Sequence, residues 1–103
     1  MDKTDTSETL LNAIDIGVDE EVQFQNELIS RFQQQGDVRA FDELVEITKH
    51  RTFATAYRRL GDEAAAFDAV QEAYLRLYRF MDRWDYSCRV TTWLHQVVLN
   101  ICT

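Results

Sequence analysis

Asp68, Gln71 and Glu72 form an acid–amide–acid set. At about 100° per residue they share a helical stripe with Leu75 and Arg79. The chemistry such a set supports is recognition, not turnover. A merely solvated face has no need of a leucine among its acids, whereas a face that docks on another protein does. The plain alternative is a polar surface with incidental i,i+4 pairs, since single exposed leucines are common. A second concentration lies at Arg83 to Arg89, RWDYSCR, rich in aromatics and arginine. Catalysis has no comparable support. His50, His95, Cys88 and Cys102 do not cluster as a metal site, and there is no nucleophile–base pair or phosphate-cradling glycine loop. No metal, cofactor or enzymatic step is expected.

These residues must be held by helices. The chain has no proline and three glycines, and no alternating β-branched run. Two Gly-Asp pairs, Gly36-Asp37 and Gly61-Asp62, each read as a helix stop followed by a helix start: glycine takes the left-handed position and aspartate caps the next free amides. They delimit a helix from about Val38 to Leu60, with Phe41, Leu44, Val45, Phe53, Ala56, Tyr57 and Leu60 as its apolar side. Val22 to Gln35 forms a shorter helix on Phe24, Leu28, Ile29 and Phe32. Glu63 to about Asp82 follows, with Phe67, Val70, Tyr74, Leu77 and Met81 as its core stripe. From Val90 a last stripe runs through Trp93, Leu94, Val97, Val98 and Ile101. The expectation is an all-α, compact bundle of about four helices, with residues 1–21 an acidic, flexible leader carrying a short apolar patch at Leu10 to Ile14. The chain stops at Thr103 inside the last helical pattern, which reads as a fragment of a longer protein.

The 103 residues carry a net charge of −7, unevenly placed. Residues 1–37 hold nine acids and two bases, whereas residues 38–103 hold nine of each. The helical part is therefore compatible with nucleic acid, although its neutrality implies weak affinity alone. Two cysteines make no disulfide framework, nothing reads as a signal peptide, and no apolar run is long enough to span a membrane. The cytoplasm, with reduced thiols, is the expected compartment.

In order, GDVRAFDELVE, YRRLGDEAAAFDAVQEAYLRLYRF and WDYSCRVTTWLHQVVLN resemble region 2 of bacterial sigma factors, specifically the extracytoplasmic-function (group IV) class. The resemblance covers about Asn26 to Thr103 and rests on the combination of Gly-Asp-x-x-Ala-Phe, Gly-Asp then Asp-x-x-Gln-Glu, and Trp-Leu followed by Asn. It implies a transcription-initiation module of RNA polymerase that recognises and melts the −10 promoter element. It also implies that Asp68, Gln71 and Glu72, with Leu75 and Arg79 as neighbours, meet the clamp helices of the polymerase β′ subunit. The family reads the non-template strand of the −10 element with the loop before its fourth helix and that helix's start. Carried over, this gives Arg83, Trp84, Tyr86, Ser87, Arg89, Thr91, Thr92, His95 and Gln96. Unstacked bases need walls and hydrogen-bond partners, and basic groups hold phosphates.

Plainer readings stand beside these. Trp84 and Tyr86 can close the end of the bundle, Trp93 reads as core, and His50 with Lys49 and Arg51 reads as a solvated helix face. The sequence departs from the family pattern at Val90, where phenylalanine is usual, and at Leu99, where arginine is usual and an exposed leucine on the DNA-facing side is expected. The helix-turn-helix that would read the −35 element is absent from this sequence. Two other functions are compatible with the bundle. One is an interaction module held by an anti-sigma factor, with the leader competing with DNA for basic groups. The other is a histidine phosphotransfer bundle on His50, disfavoured by Arg51-Thr52-Phe53-Ala54.

Overall fold

Both Gly-Asp junctions turn the chain as their chemistry requires. Gly36 and Gly61 sit at φ 64° and 68°, a left-handed conformation that costs a side-chain-bearing residue about 1 kcal/mol or more. Their N–H groups close the preceding helices, Gly36 on the Phe32 carbonyl at 2.9 Å and Gly61 on Tyr57 at 2.8 Å. Asp37 then accepts from the Arg39 N–H at 3.1 Å and Asp62 from the Ala65 N–H at 2.8 Å. The computed structural model describes residues 20–103, so the patch Leu10 to Ile14 and nearly all of the expected leader lie outside the described residues. Helix α1 runs over 20–35, α2 over Val38–Leu60, α3 over Glu63–Phe80 and α4 over Val90–Ile101. A 3₁₀ turn, Met81–Arg83, continues α3. The described residues form no strand, and the all-α bundle of four helices is as expected.

Leu28 and Ile29 of α1, Leu44 of α2, Leu77 of α3 and Leu94 and Val98 of α4 meet in one core, with Met81 and Val90 closing the end that carries the loop. Ala66, Ala69 and Ala73 make α3 thin on its inner side, which lets neighbouring helices approach. Phe32, Phe41 and Tyr78 join α1, α2 and α3 through ring contacts of 5.1 to 6.0 Å.

Three apolar assignments are corrected. The α1 stripe is centred on Gln25, Leu28, Ile29 and Phe32, which leaves Phe24 at its exposed edge. Tyr57 and Phe67, expected in the core, are 46% and 55% exposed. They flank Phe53 at centroid distances of 5.9 and 5.0 Å, one ring face packed and the other open. Three of the inward residues of α2 are threonines, Thr48, Thr52 and Thr55. Thr48 and Thr52 reach the Leu44 and Thr48 carbonyls, and the Tyr74 hydroxyl joins the pair, 2.6 Å from Thr48 Oγ1 and 3.0 Å from Thr52 Oγ1. Burial pushes the Tyr74 hydroxyl above its ordinary pKa, partly offset by these two bonds.

Candidate functional site

Helical spacing brings Asp68, Gln71, Glu72, Leu75 and Arg79 to the outer side of α3. Asp68, Gln71 and Arg79 are exposed and Glu72 is half-buried. Leu75 is 49% exposed among them. Arg76 Nε donates to Glu72 Oε2 at 3.0 Å, an exposed i,i+4 pair of small energetic weight. The face is thus a rigid array of two carboxylates, an amide and a guanidinium around one solvated leucine, which suits a polar partner helix with an apolar centre.

The second region is built at the other end of α3. Arg83 lies exposed on the 3₁₀ turn with its guanidinium 5.3 Å from the Phe80 ring centroid. Trp84, one of the proposed DNA contacts, is only 5% exposed. It meets Phe80 and Trp93 edge-on at 6.2 and 6.0 Å, while those two rings stack at 5.7 Å. Its indole is spent on closing the bundle beneath the loop, so it supports that surface and does not line it. Trp84 Nε1 is buried without a hydrogen-bond partner among the described residues, which leaves ring packing to hold it.

Tyr86 stands at φ 63°, a conformation that bulky residues rarely adopt without outside support. The support comes from Gln33 of α1. Its Nε2 donates to the carbonyls of Met81 and Trp84, each at 2.9 Å, and its Oε1 accepts from the Tyr86 hydroxyl at 2.7 Å. Next to it the Ser87 N–H donates to Asp85 Oδ1 at 3.0 Å. Hydrogen bonding from the Ser87 side chain and backbone holds the Asp85 carboxyl below its usual pKa. Ser87 and Arg89 are exposed.

Tyr86 and Arg89 border a polar cleft of ≈ 620 Å³ whose other wall is α1, with Asn26, Ser30, Gln33 and Gln34. Amide and hydroxyl groups around a tyrosine and an arginine can take a base edge with its phosphate. The sequence reading missed this α1 wall. The only signal for it was the polar run Gln33-Gln34-Gln35 in an otherwise amphipathic helix.

Helix α4 begins at Val90 with no side-chain cap on its first amides, which leaves donors suited to a phosphate oxygen. Thr92, His95 and Gln96 are exposed and Thr91 half-buried. His95 Nδ1 lies 3.4 Å from Thr55 Oγ1 of α2, and His95 and Thr91 share a small cleft with Arg51 and Thr55. Of the nine residues of the second region, Tyr86 and Arg89 line the cleft against α1, and Thr91 and His95 the one against α2. Leu99, expected to be exposed, is half-buried. Both cysteines are free thiols. The described residues hold no group of side chains that could bind a metal, and none of their helices is long and apolar enough to cross a membrane.

Residues 44–103 match the family model described as Sigma-70 region 2. The chain is 35% identical over 68 residues to the ECF RNA polymerase sigma factor SigW of Bacillus subtilis, covering 66% of this chain and 36% of that protein. It is 34% identical over 74 residues to the RNA polymerase sigma-H factor of Pseudomonas aeruginosa, covering 72% and 38%. With the ECF RNA polymerase sigma-E factor of Escherichia coli K12 it shares 30% over 78 residues, 76% and 40% of the two chains. The chain thus spans well under half the length of these relatives. Among solved structures it superposes with a TM-score of 0.69 and 31% identity on an engineered region 2 of sigmaE in complex with GTAAAA, over 76% of this chain and 80% of that one.

Proposed function

Since this chain belongs to the Sigma-70 region 2 family, we propose that it works as the part of an extracytoplasmic-function sigma factor that joins RNA polymerase core and captures the −10 promoter element. In this reading it acts by binding, with no catalytic step of its own, in the bacterial cytoplasm. The carrying observation is the separation of two unlike surfaces on one rigid helix. The outer side of α3 presents Asp68, Gln71, Glu72, Leu75 and Arg79, and the loop continuing that helix presents Arg83, Tyr86, Ser87 and Arg89.

The first surface meets the β′ clamp helices: acids and amide pair with basic and polar side chains, and Leu75 is desolvated at the centre. The second holds the non-template strand. An unstacked base enters the cleft between α1 and the loop, where Asn26 and Ser30 offer donors and acceptors and Tyr86, held by Gln33, a ring edge. Arg83, Arg89 and the uncapped start of α4 hold phosphates, which position the strand without specifying it. Thr92, His95 and Gln96 continue the surface along α4. Because residues 38–103 are charge-neutral, capture depends on shape and hydrogen bonding more than on bulk attraction, and polymerase must supply the remaining affinity.

The solved relative in complex with GTAAAA supports a single-stranded hexamer as the probe. Titration of the chain with fluorescent single-stranded hexamers of varied sequence should give sequence-dependent binding that Arg89→Ala and Tyr86→Ala weaken. Equal affinity for all sequences, or no change in either variant, contradicts the assignment of this surface.

A further inference from the structure

The cleft between α1 and the loop has two charged lining residues, Glu27 of α1 and Arg89, both exposed. The ion pairs among the described residues are Lys49–Glu46, Arg51–Glu21 and Arg76–Glu72, so Glu27 and Arg89 share the cleft without pairing across it. Asn26 and Ser30, the residue before Glu27 and the one a turn beyond it, are half-buried and line the same cleft. Gln33 is already committed: its amide holds the Met81 and Trp84 carbonyls and the Tyr86 hydroxyl. The groups left to meet a ligand are therefore an amide, a hydroxyl, a carboxylate and a guanidinium.

A carboxylate in a cleft that takes a polyanion weakens every strand alike. At about 7 Å from a phosphate in water the loss is about two- to threefold, less with salt. A charge-assisted hydrogen bond returns about tenfold or more, but only with a base that donates. Resting on the reading that this cleft takes a −10 base, we propose that Glu27 selects the base, accepting from its exocyclic amine and rejecting thymine. The Asn26 amide and the Ser30 hydroxyl each donate or accept, so they fit any base edge, whereas an ionised carboxylate only accepts. Adenine, cytosine and guanine all carry an exocyclic amine. Thymine has none, and its single N–H lies between two carbonyl oxygens, so one oxygen is turned towards the carboxylate. Arg89 takes the phosphate of the same nucleotide, which offsets the charge that Glu27 brings to the cleft. Selection thus comes from a repulsive group that the right base converts into a bond.

The test titrates the full chain, wild type against Glu27→Gln, with fluorescent single-stranded hexamers. Each position of GTAAAA is varied in turn through all four bases, and each adenine is also replaced by purine, which lacks the amine. At one position wild type should bind thymine about tenfold more weakly than the preferred base. At that position the loss of the amine should cost nearly as much. Glutamine keeps the shape of glutamate but also donates, so Glu27→Gln should bring thymine to within about twofold of the preferred base. Its helicity should match wild type, since Glu27 is exposed. A gain in affinity that is equal for all hexamers and disappears in high salt overturns the proposal, leaving Glu27 a merely repulsive surface charge. Binding that needs Tyr86 and Arg89 but keeps the same base preference in Glu27→Gln overturns it too, and leaves the cleft as the strand site. No saturable binding of any hexamer by folded wild type overturns both the cleft reading and the role of Glu27.

Discussion

Gln33 links a helix to a loop some fifty residues away and satisfies three polar groups with one side chain. Replacing it with alanine should loosen Trp84 to Arg89 and cost about 1–3 kcal/mol, the range for buried or half-buried partners left unsatisfied. Amide hydrogen exchange should rise in the loop well before it rises in α2, and hexamer binding should weaken with it. Unchanged exchange at Tyr86 and Ser87 would show that the loop holds its shape without Gln33. Asp85 gives a prediction with a sign. Its folded pKa lies below the ordinary 3.8, so its contribution to loop order is present above that value and is lost as pH falls through the depressed one. The Ser87 amide signal should therefore stay in place down to about pH 4 and move only below it, and Asp85→Asn should abolish the transition. These partners were not legible in the sequence, because nothing local tells Gln33 from its glutamine neighbours. The polar outer stripe of α3 was legible, because 3.6-residue periodicity alone aligns Asp68, Gln71, Glu72 and Leu75.

At the scale of elements, helix boundaries were the most readable part, since glycine and aspartate act locally at Gly36-Asp37 and Gly61-Asp62. Gly61→Ala meets no atom within 4 Å, so its cost is backbone strain alone, about 1 kcal/mol, read as a small fall in melting temperature. Burial at the edges of stripes was less readable. Phe67 shares the period of Val70, Tyr74 and Leu77, yet near the start of α3 it packs on Phe53 and stays 55% exposed. Trp84 was open to two readings, base contact or closure of the bundle's end, and the partners that bury it, Phe80 and Trp93, come from two helices. Trp84→Ala should cost about 3–5 kcal/mol as a core truncation, while Trp84→Phe keeps most of the stability and the hexamer affinity. Wild-type stability combined with lost DNA binding in Trp84→Ala would restore it as a contact residue.

At the scale of the whole molecule, α3 is the organising rod. Its inner side is alanine with Val70, Tyr74 and Leu77, its outer side the polar array, and its C-terminal continuation the loop proposed to meet DNA. Under the proposed function, orientation towards polymerase would fix orientation towards the promoter. The charge distribution fits this division: residues 38–103 are neutral, and the acidity is concentrated before the bundle. The central claim is that the α3 face engages polymerase, and its most direct test is equilibrium binding of the chain to a β′ clamp-helix fragment. Wild type should bind saturably, and Gln71→Ala/Glu72→Ala should weaken binding by about 2 kcal/mol with helicity unchanged. A well-folded wild type that does not bind, or a double variant that binds equally well, would contradict the account.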